Sequence, residues 1–157
     1  MVRSVAEPPN DTSVTVRGAA TGFAQEISVR SHRLRGDEPT ASGGTDTGPS
    51  PYDLLLAALG TCTSMTVAMY ARRRQWPLEW VPVRLRHAKV HATDYAECES
   101  KDTVLDRIAR EMDLEGALSD EQRAQLLGIA NRCPVHRTLT SEIMIETRLS
   151  VSGAQTT

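Results

Sequence analysis

Residues 48–65, GPSPYDLLLAALGTCTSM, decide how the chain folds. Ser50 can accept hydrogen bonds from the free N–H groups of a helix start, Pro51 brings its fixed φ to the first helical position, and Asp53 stands three residues after Ser50. Beyond this start, Leu55, Leu59, Cys62, Met65 or Thr66, and Met69 recur at intervals of three and four residues, the spacing of an apolar helix stripe. Arg72, Arg73 and Arg74 suit the negative end of a helix, and Pro77 prevents much continuation. A helix over about 51–73 is therefore predicted. It places Cys62 in mid-helix on the buried face, near Ala58 and Gly60, where small residues admit another backbone or a substrate.

Upstream, VTV from Val14, FAQEISV from Phe23 and HRL from His32 have the β-branched and alternating character of short strands, so a meander opens the domain. The stretch GDEPTASGGTDTG, dense in Gly, Asp and Thr, is a turn-rich loop leading into the helix. Downstream, WVPVRLRHAKVHA alternates with a change of phase, as one long bulged strand would. VLDRIAREMDLEG satisfies helical and strand periods in part, and the stop at Gly116 favours strand. Ser119, with Gln122 three residues on, begins a second helix whose apolar face runs through Leu126, Ala130 and Cys133 until Pro134. SEIMIETRL alternates again as a closing strand. Strands, long helix, strands, helix and strand make an α+β fold, with helices packed on curved antiparallel sheet.

A chain of 157 residues favours one domain, here about 13–150, with residues 1–12 and 151–157 expected to be flexible. The net charge of −2 carries no basic stripe or acidic tail, which argues against nucleic acid and membrane as partners. No apolar run is expected to approach the roughly 20 residues of a membrane span, and the polar start lacks a signal-peptide core, so a cytoplasmic protein is expected. No nucleotide-binding glycine motif is present, and no cofactor is expected.

Three cysteines, Cys62, Cys98 and Cys133, are too few and scattered for a disulfide scaffold. A cysteine on an apolar helix face is ordinarily a small hydrophobe. Two of them on the core-facing stripes of different helices, however, would meet if those helices pack. Such a pair is a redox device, because one thiolate can take oxygen from an oxidant and the other can then displace it as a disulfide forms. Zinc is an alternative: Cys133 and His136 have ligand spacing, and Cys62, Cys98, His87 and His91 could complete a tetrahedral site. His87 and His91 alternate on one strand face, as solvent-exposed residues also do, and Cys98 in YAECES has no evident partner. His136 and Arg137 could stabilise a Cys133 thiolate or simply close a helix end, where positive charge is favourable.

Taken together, GPSPYDLLLAALGTCTSM and CPVHRTLTSEIMIETRL resemble the OsmC/Ohr family of osmotically induced and organic hydroperoxide resistance proteins, over about residues 13–150. In that family a proline opens the central helix and the peroxide-attacking cysteine follows in the register of Pro51 and Cys62, while Cys133-Pro134 matches the resolving cysteine. The resemblance implies an intertwined homodimer with its site at the subunit interface, organic hydroperoxides as substrates and a small or lipoyl-type dithiol as reductant. One position departs from the pattern. Where the peroxidases carry a glutamate after the proline, paired with an arginine from an N-terminal strand or loop, this chain has Tyr52, followed by Asp53. Asp53 can substitute in part, its carboxylate being open to capture by the helix cap. Arg35 and Arg33 are the candidate cations, with His32 beside them. The chain thus resembles the OsmC-like branch that lacks the peroxidase glutamate, and a scaffold binding a small apolar ligand beside Cys62 is the non-catalytic alternative.

Overall fold

The structure, a computed structural model, describes residues 13–91 and 104–150. In chain order the elements are β1 (Val14–Gly18), β2 (Gln25–Val29), β3 (His32–Gly36), a 3-10 turn (Thr40–Ser42), α1 (Pro51–Arg73), β4 (Leu78–Trp80), β5 (Val83–His91), β6 (Val104–Met112), β7 (Glu115–Gly116), α2 (Asp120–Ala130) and α3 (Pro134–Leu139). The fold is α+β, a long helix with antiparallel sheet, as the sequence predicts. The described residues form two compact units interleaved in sequence, one within residues 13–60, 84–91 and 104–111, the other within 61–83 and 112–150.

In the first unit β1, β2 and β3 form an antiparallel meander in which Val16, Ile27 and Leu34 lie opposite one another. Strand alternation gives those three one face and Arg17, Glu26 and Arg35 the other. The first turn of α1 meets the Ile27 face: a Cβ added at Gly36 would stand 3.5 Å from Ile27 Cδ1 and 3.6 Å from Leu54 Cδ1. Further along the helix, a Cβ at Gly60 would come within 2.8 Å of Leu85 Cδ1 on β5, so the absence of a side chain lets strand and helix approach. β5 pairs with β6, and the last two residues of VLDRIAREMDLEG supply the short β7.

The loop between β3 and α1 is ordered around the buried Asp37. Its Oδ1 accepts from the N–H of Glu38 (2.8 Å), and its Oδ2 accepts from the N–H and hydroxyl groups of Thr45 (3.1 and 2.6 Å) and Thr47 (3.1 and 2.9 Å). The Thr45 hydroxyl first, then the Thr47 N–H, hold the Asp37 carboxyl well below the usual carboxylate range. A segment dense in Gly and Thr thereby gains a fixed path into the helix.

In the second unit Val67, Ala71, Leu126, Ile129 and Ala130 form the core, ringed by Tyr70, Trp76, Leu78, Val81, Met112, Leu114 and Leu118. Tyr70 and Trp76 meet edge to face at 5.7 Å, and the Arg74 guanidinium lies 5.4 Å from the centre of the Tyr70 ring. α2 begins with the expected capping box: the Ser119 hydroxyl accepts from the Gln122 N–H (3.2 Å), and the Gln122 side chain accepts from the Ser119 N–H (2.9 Å). The Arg123 guanidinium donates to the Leu114 and Gly116 carbonyls, tying α2 to the β7 turn.

Four expectations are corrected. WVPVRLRHAKVHA is two strands, β4 paired with β7 and β5 with β6. Pro82 lies between them and has no N–H to contribute to a continuous ladder. The α1 stripe has a different phase, running through Leu59, Thr63, Val67 and Ala71, while Met65 is 67% and Met69 45% exposed. An almost wholly apolar helix offers no polar face to set the phase from sequence. α1 is also long and apolar enough to cross a membrane by length and composition, although its Val67 and Ala71 side lies in the core of the second unit. Finally, SEIMIETRL forms no strand among the described residues; Met144 is 85% and Leu149 96% exposed, because alternation alone makes no sheet without a neighbouring strand.

Candidate active site

Cys133 does not end α2. The residue before a proline is pushed out of the helical region, and Cys133 accordingly has φ −62° and ψ 135°, which interrupts the helix after Ala130 and starts α3 with Pro134 in its first turn. Cys133 thus caps α3, and its Sγ accepts from the His136 N–H at 3.2 Å. The sulfur is fully buried. On its other side stands Thr63 of α1, also fully buried, whose hydroxyl donates to Cys133 Sγ at 3.8 Å. Cys62, the preceding residue, is half-buried, and neither cysteine is in a disulfide.

The helix turn that carries Cys62 therefore packs on the α2–α3 junction that carries Cys133, and the contact between the two segments is made by Thr63. Sequence periodicity put Cys62 on the buried line; one residue's rotation of the helix gives that place to threonine. His136 reaches the sulfur through its main-chain N–H.

The remaining expected residues belong to the first unit. Asp53 is engaged by the helix cap: its Oδ2 accepts from the Ser50 hydroxyl (2.7 Å) and Ser50 N–H (2.9 Å), and the Asp53 N–H donates to Ser50 Oγ (3.2 Å). Those two bonds from Ser50, hydroxyl first, hold its carboxyl below the ordinary value. Arg35 lies on the meander face opposite the one that meets Leu54, beside Glu26. It lines an open cavity of about 490 Å³ together with Arg17, Gln25, Glu26 and Thr47. A second cavity, of about 380 Å³, is apolar and lies among Val16, Phe23, Ile27, Pro51 and Leu54.

Tyr52 has neighbours that the sequence did not disclose. Its ring stacks on His87 of β5, with centroids 4.3 Å apart and planes 14° apart. His87 Nε2 lies 2.7 Å from Asp106 Oδ1 on β6, and Lys89 Nζ donates to the same oxygen at 3.0 Å. These bonds, His87 first, hold the Asp106 carboxyl below its ordinary value, and Asp106 in turn raises Lys89. An ionised carboxylate only accepts, so Nε2 carries the proton. Of the two readings open for His87, a zinc ligand or a solvent-exposed strand residue, exposure does not describe it, since its side chain is only 16% exposed. The three residues lie on separate elements, and no spacing in the sequence links them.

Among the described residues no group of three or more His, Cys, Asp or Glu side chains could hold a metal ion. Cys98 lies outside the described residues.

Residues 44–148 match the family described as OsmC-like protein. No curated protein matches the chain. Among solved structures the chain is similar to an OsmC-like protein from Mycoplasma pneumoniae, with 14% identity and a TM-score of 0.65 over 84% of this chain and 89% of that one. An organic hydroperoxide resistance protein from Legionella pneumophila aligns with 19% identity and a TM-score of 0.61 over 85% and 92% of the two chains. The organic hydroperoxide resistance protein of Bacillus subtilis aligns with 18% identity and a TM-score of 0.59 over 83% and 91%. At these identities the likeness is one of fold.

Proposed function

Because the chain belongs to the family of OsmC-like proteins, we propose that it is a thiol-dependent peroxidase that reduces organic hydroperoxides through Cys62 and Cys133. The observation that carries this proposal is the bond from the Thr63 hydroxyl to Cys133 Sγ, which brings the residue next to Cys62 against the second thiol. The Cys62 thiolate attacks the outer peroxide oxygen. The O–O bond breaks, the alcohol leaves with a proton, and Cys62 becomes a sulfenic acid. The Cys133 thiolate then attacks the Cys62 sulfur; an S–S bond forms, the S–O bond breaks, and the departing hydroxide takes a proton to become water. A lipoyl-type dithiol returns both cysteines to thiols by exchange and becomes a disulfide itself.

Cys62 is assigned the attack because it is the more accessible thiol, whereas Cys133 is enclosed. Asp53 acts by fixing the start of α1 through its cap bonds. Arg35 is the proposed cation for the peroxide, and its place on an exposed strand makes it available to a second copy of the chain in a homodimer. The test is oxidation by one equivalent of cumene hydroperoxide followed by mass spectrometry. Cys133→Ser is expected to consume about one equivalent and stop at sulfenic acid, and Cys62→Ser to remain unmodified. An oxidised Cys62→Ser protein beside an unmodified Cys133→Ser protein reverses the assignment, and two thiols left intact in the native chain remove it.

The apolar cavity beside Leu54 favours a second reading, a scaffold that binds a small apolar ligand without turnover. That reading leads if an apolar fluorophore is displaced by cumene hydroperoxide while the thiol count stays unchanged.

A further inference from the structure

We propose that Thr63 is a positioning residue for Cys133, holding the buried sulfur ready as a thiolate for the resolving step. The inference rests on the two-thiol reading above and adds to it a residue that touches neither peroxide nor reductant.

A thiolate taken out of water is penalised unless donors replace its hydration. Cys133 Sγ is fully buried and addressed from two sides, by the Thr63 hydroxyl at 3.8 Å and the His136 N–H at 3.2 Å. The two donors differ in kind. The N–H is fixed by the backbone of α3 and can only donate. The hydroxyl rotates, so it can accept the S–H proton while Cys133 is a thiol and turn its own proton to the sulfur once Cys133 is a thiolate. Both protonation states are thus satisfied without movement of the helices. Thr63 also has the rigidity the task needs, since a β-branched side chain in a helix has few χ1 choices and this one is enclosed on every side. Hydrogen bonds to the charged sulfur are the stronger ones, so the two donors favour the thiolate, and a shorter-lived sulfenic acid on Cys62 is the consequence. In that step the S–S bond forms, the S–O bond of the sulfenic acid breaks, and hydroxide leaves to become water, with the organic hydroperoxide as the oxidant already consumed.

The test reads the sulfur directly. In a protein carrying Cys62→Ser and Cys98→Ser, the 13Cβ shift of Cys133 is followed against pH, with Thr63, Thr63→Ser and Thr63→Val in turn. Valine keeps the shape and removes the hydroxyl, and serine keeps the hydroxyl and removes the methyl. Thr63→Val is expected to raise the midpoint by about one pH unit, about tenfold less thiolate at a fixed pH below both midpoints. Thr63→Ser is expected to restore most of that difference. In the chain with all cysteines present, the sulfenic acid formed by cumene hydroperoxide should persist about tenfold longer in Thr63→Val. An unmoved midpoint in Thr63→Val, or an equal rise in the serine and valine proteins, overturns the proposal. If the valine protein does not fold, Thr63→Ala gives the same comparison against serine. A raised midpoint in a chain that consumes no peroxide sinks the peroxidase and its resolving step, and leaves standing only the hold of Thr63 on the Cys133 thiolate.

Discussion

At Asp37 one carboxylate oxygen collects four donors from two threonines, and the charge is what makes that arrangement favourable. Asp53 and Asp106 are depressed in the same direction, each by hydrogen bonds that their ionised forms accept. For such groups the unfolded chain binds more protons than the folded one in the acid range, so stability rises with pH there. Their contribution is complete above the unfolded carboxylate pKa of roughly 4 and is lost as pH falls through the lower folded values. Urea unfolding followed from pH 7 down to pH 3 should show that loss. Asp37→Asn should have a lower midpoint at pH 7, because an amide cannot offer two charged acceptor oxygens to five donors, and its deficit should shrink toward acid pH. A constant deficit across the range would mean that the Asp37 charge contributes nothing.

Among the elements, α2 gives the clearest quantities. Ser119→Ala removes the cap acceptor and should cost about 1 kcal/mol. Leu126→Ala opens a cavity at a fully buried position and should cost about 2–5 kcal/mol. Denaturant midpoints at constant slope check both. Caps and alternation were legible in the residues: Ser50 with Asp53, Ser119 with Gln122, and the meander are where local chemistry predicts them. What was not legible has a common cause, a choice that only tertiary packing makes. LLLAALG is apolar in almost every direction, so its sequence cannot decide whether Cys62 or Thr63 turns inward. Pro134 suits both the stop of one helix and the start of another, and the chain uses it as a start. His87 finds Tyr52 and Asp106 only when three separate elements come together.

For the whole molecule, the exposed Met65 and Met69 on α1 and the exposed Ile143, Ile145 and Leu149 near the C-terminus are apolar surface of the kind that a second chain covers. In the proposed homodimer, Met65→Glu with Met69→Glu should shift sedimentation toward a monomer, and a native chain that sediments as a stable monomer removes the dimer. The cap that Cys133 makes on α3 has a consequence of its own. The same sulfur that would enter the disulfide also holds the first turn of a helix, so in the proposed cycle chemistry and backbone structure share one atom. A disulfide sulfur is a poorer acceptor than a thiolate, so oxidation should loosen the His136 amide and reduction should tighten it. Hydrogen–deuterium exchange at that single amide would then act as a gauge of the redox state, written in the backbone and readable without labelling either cysteine.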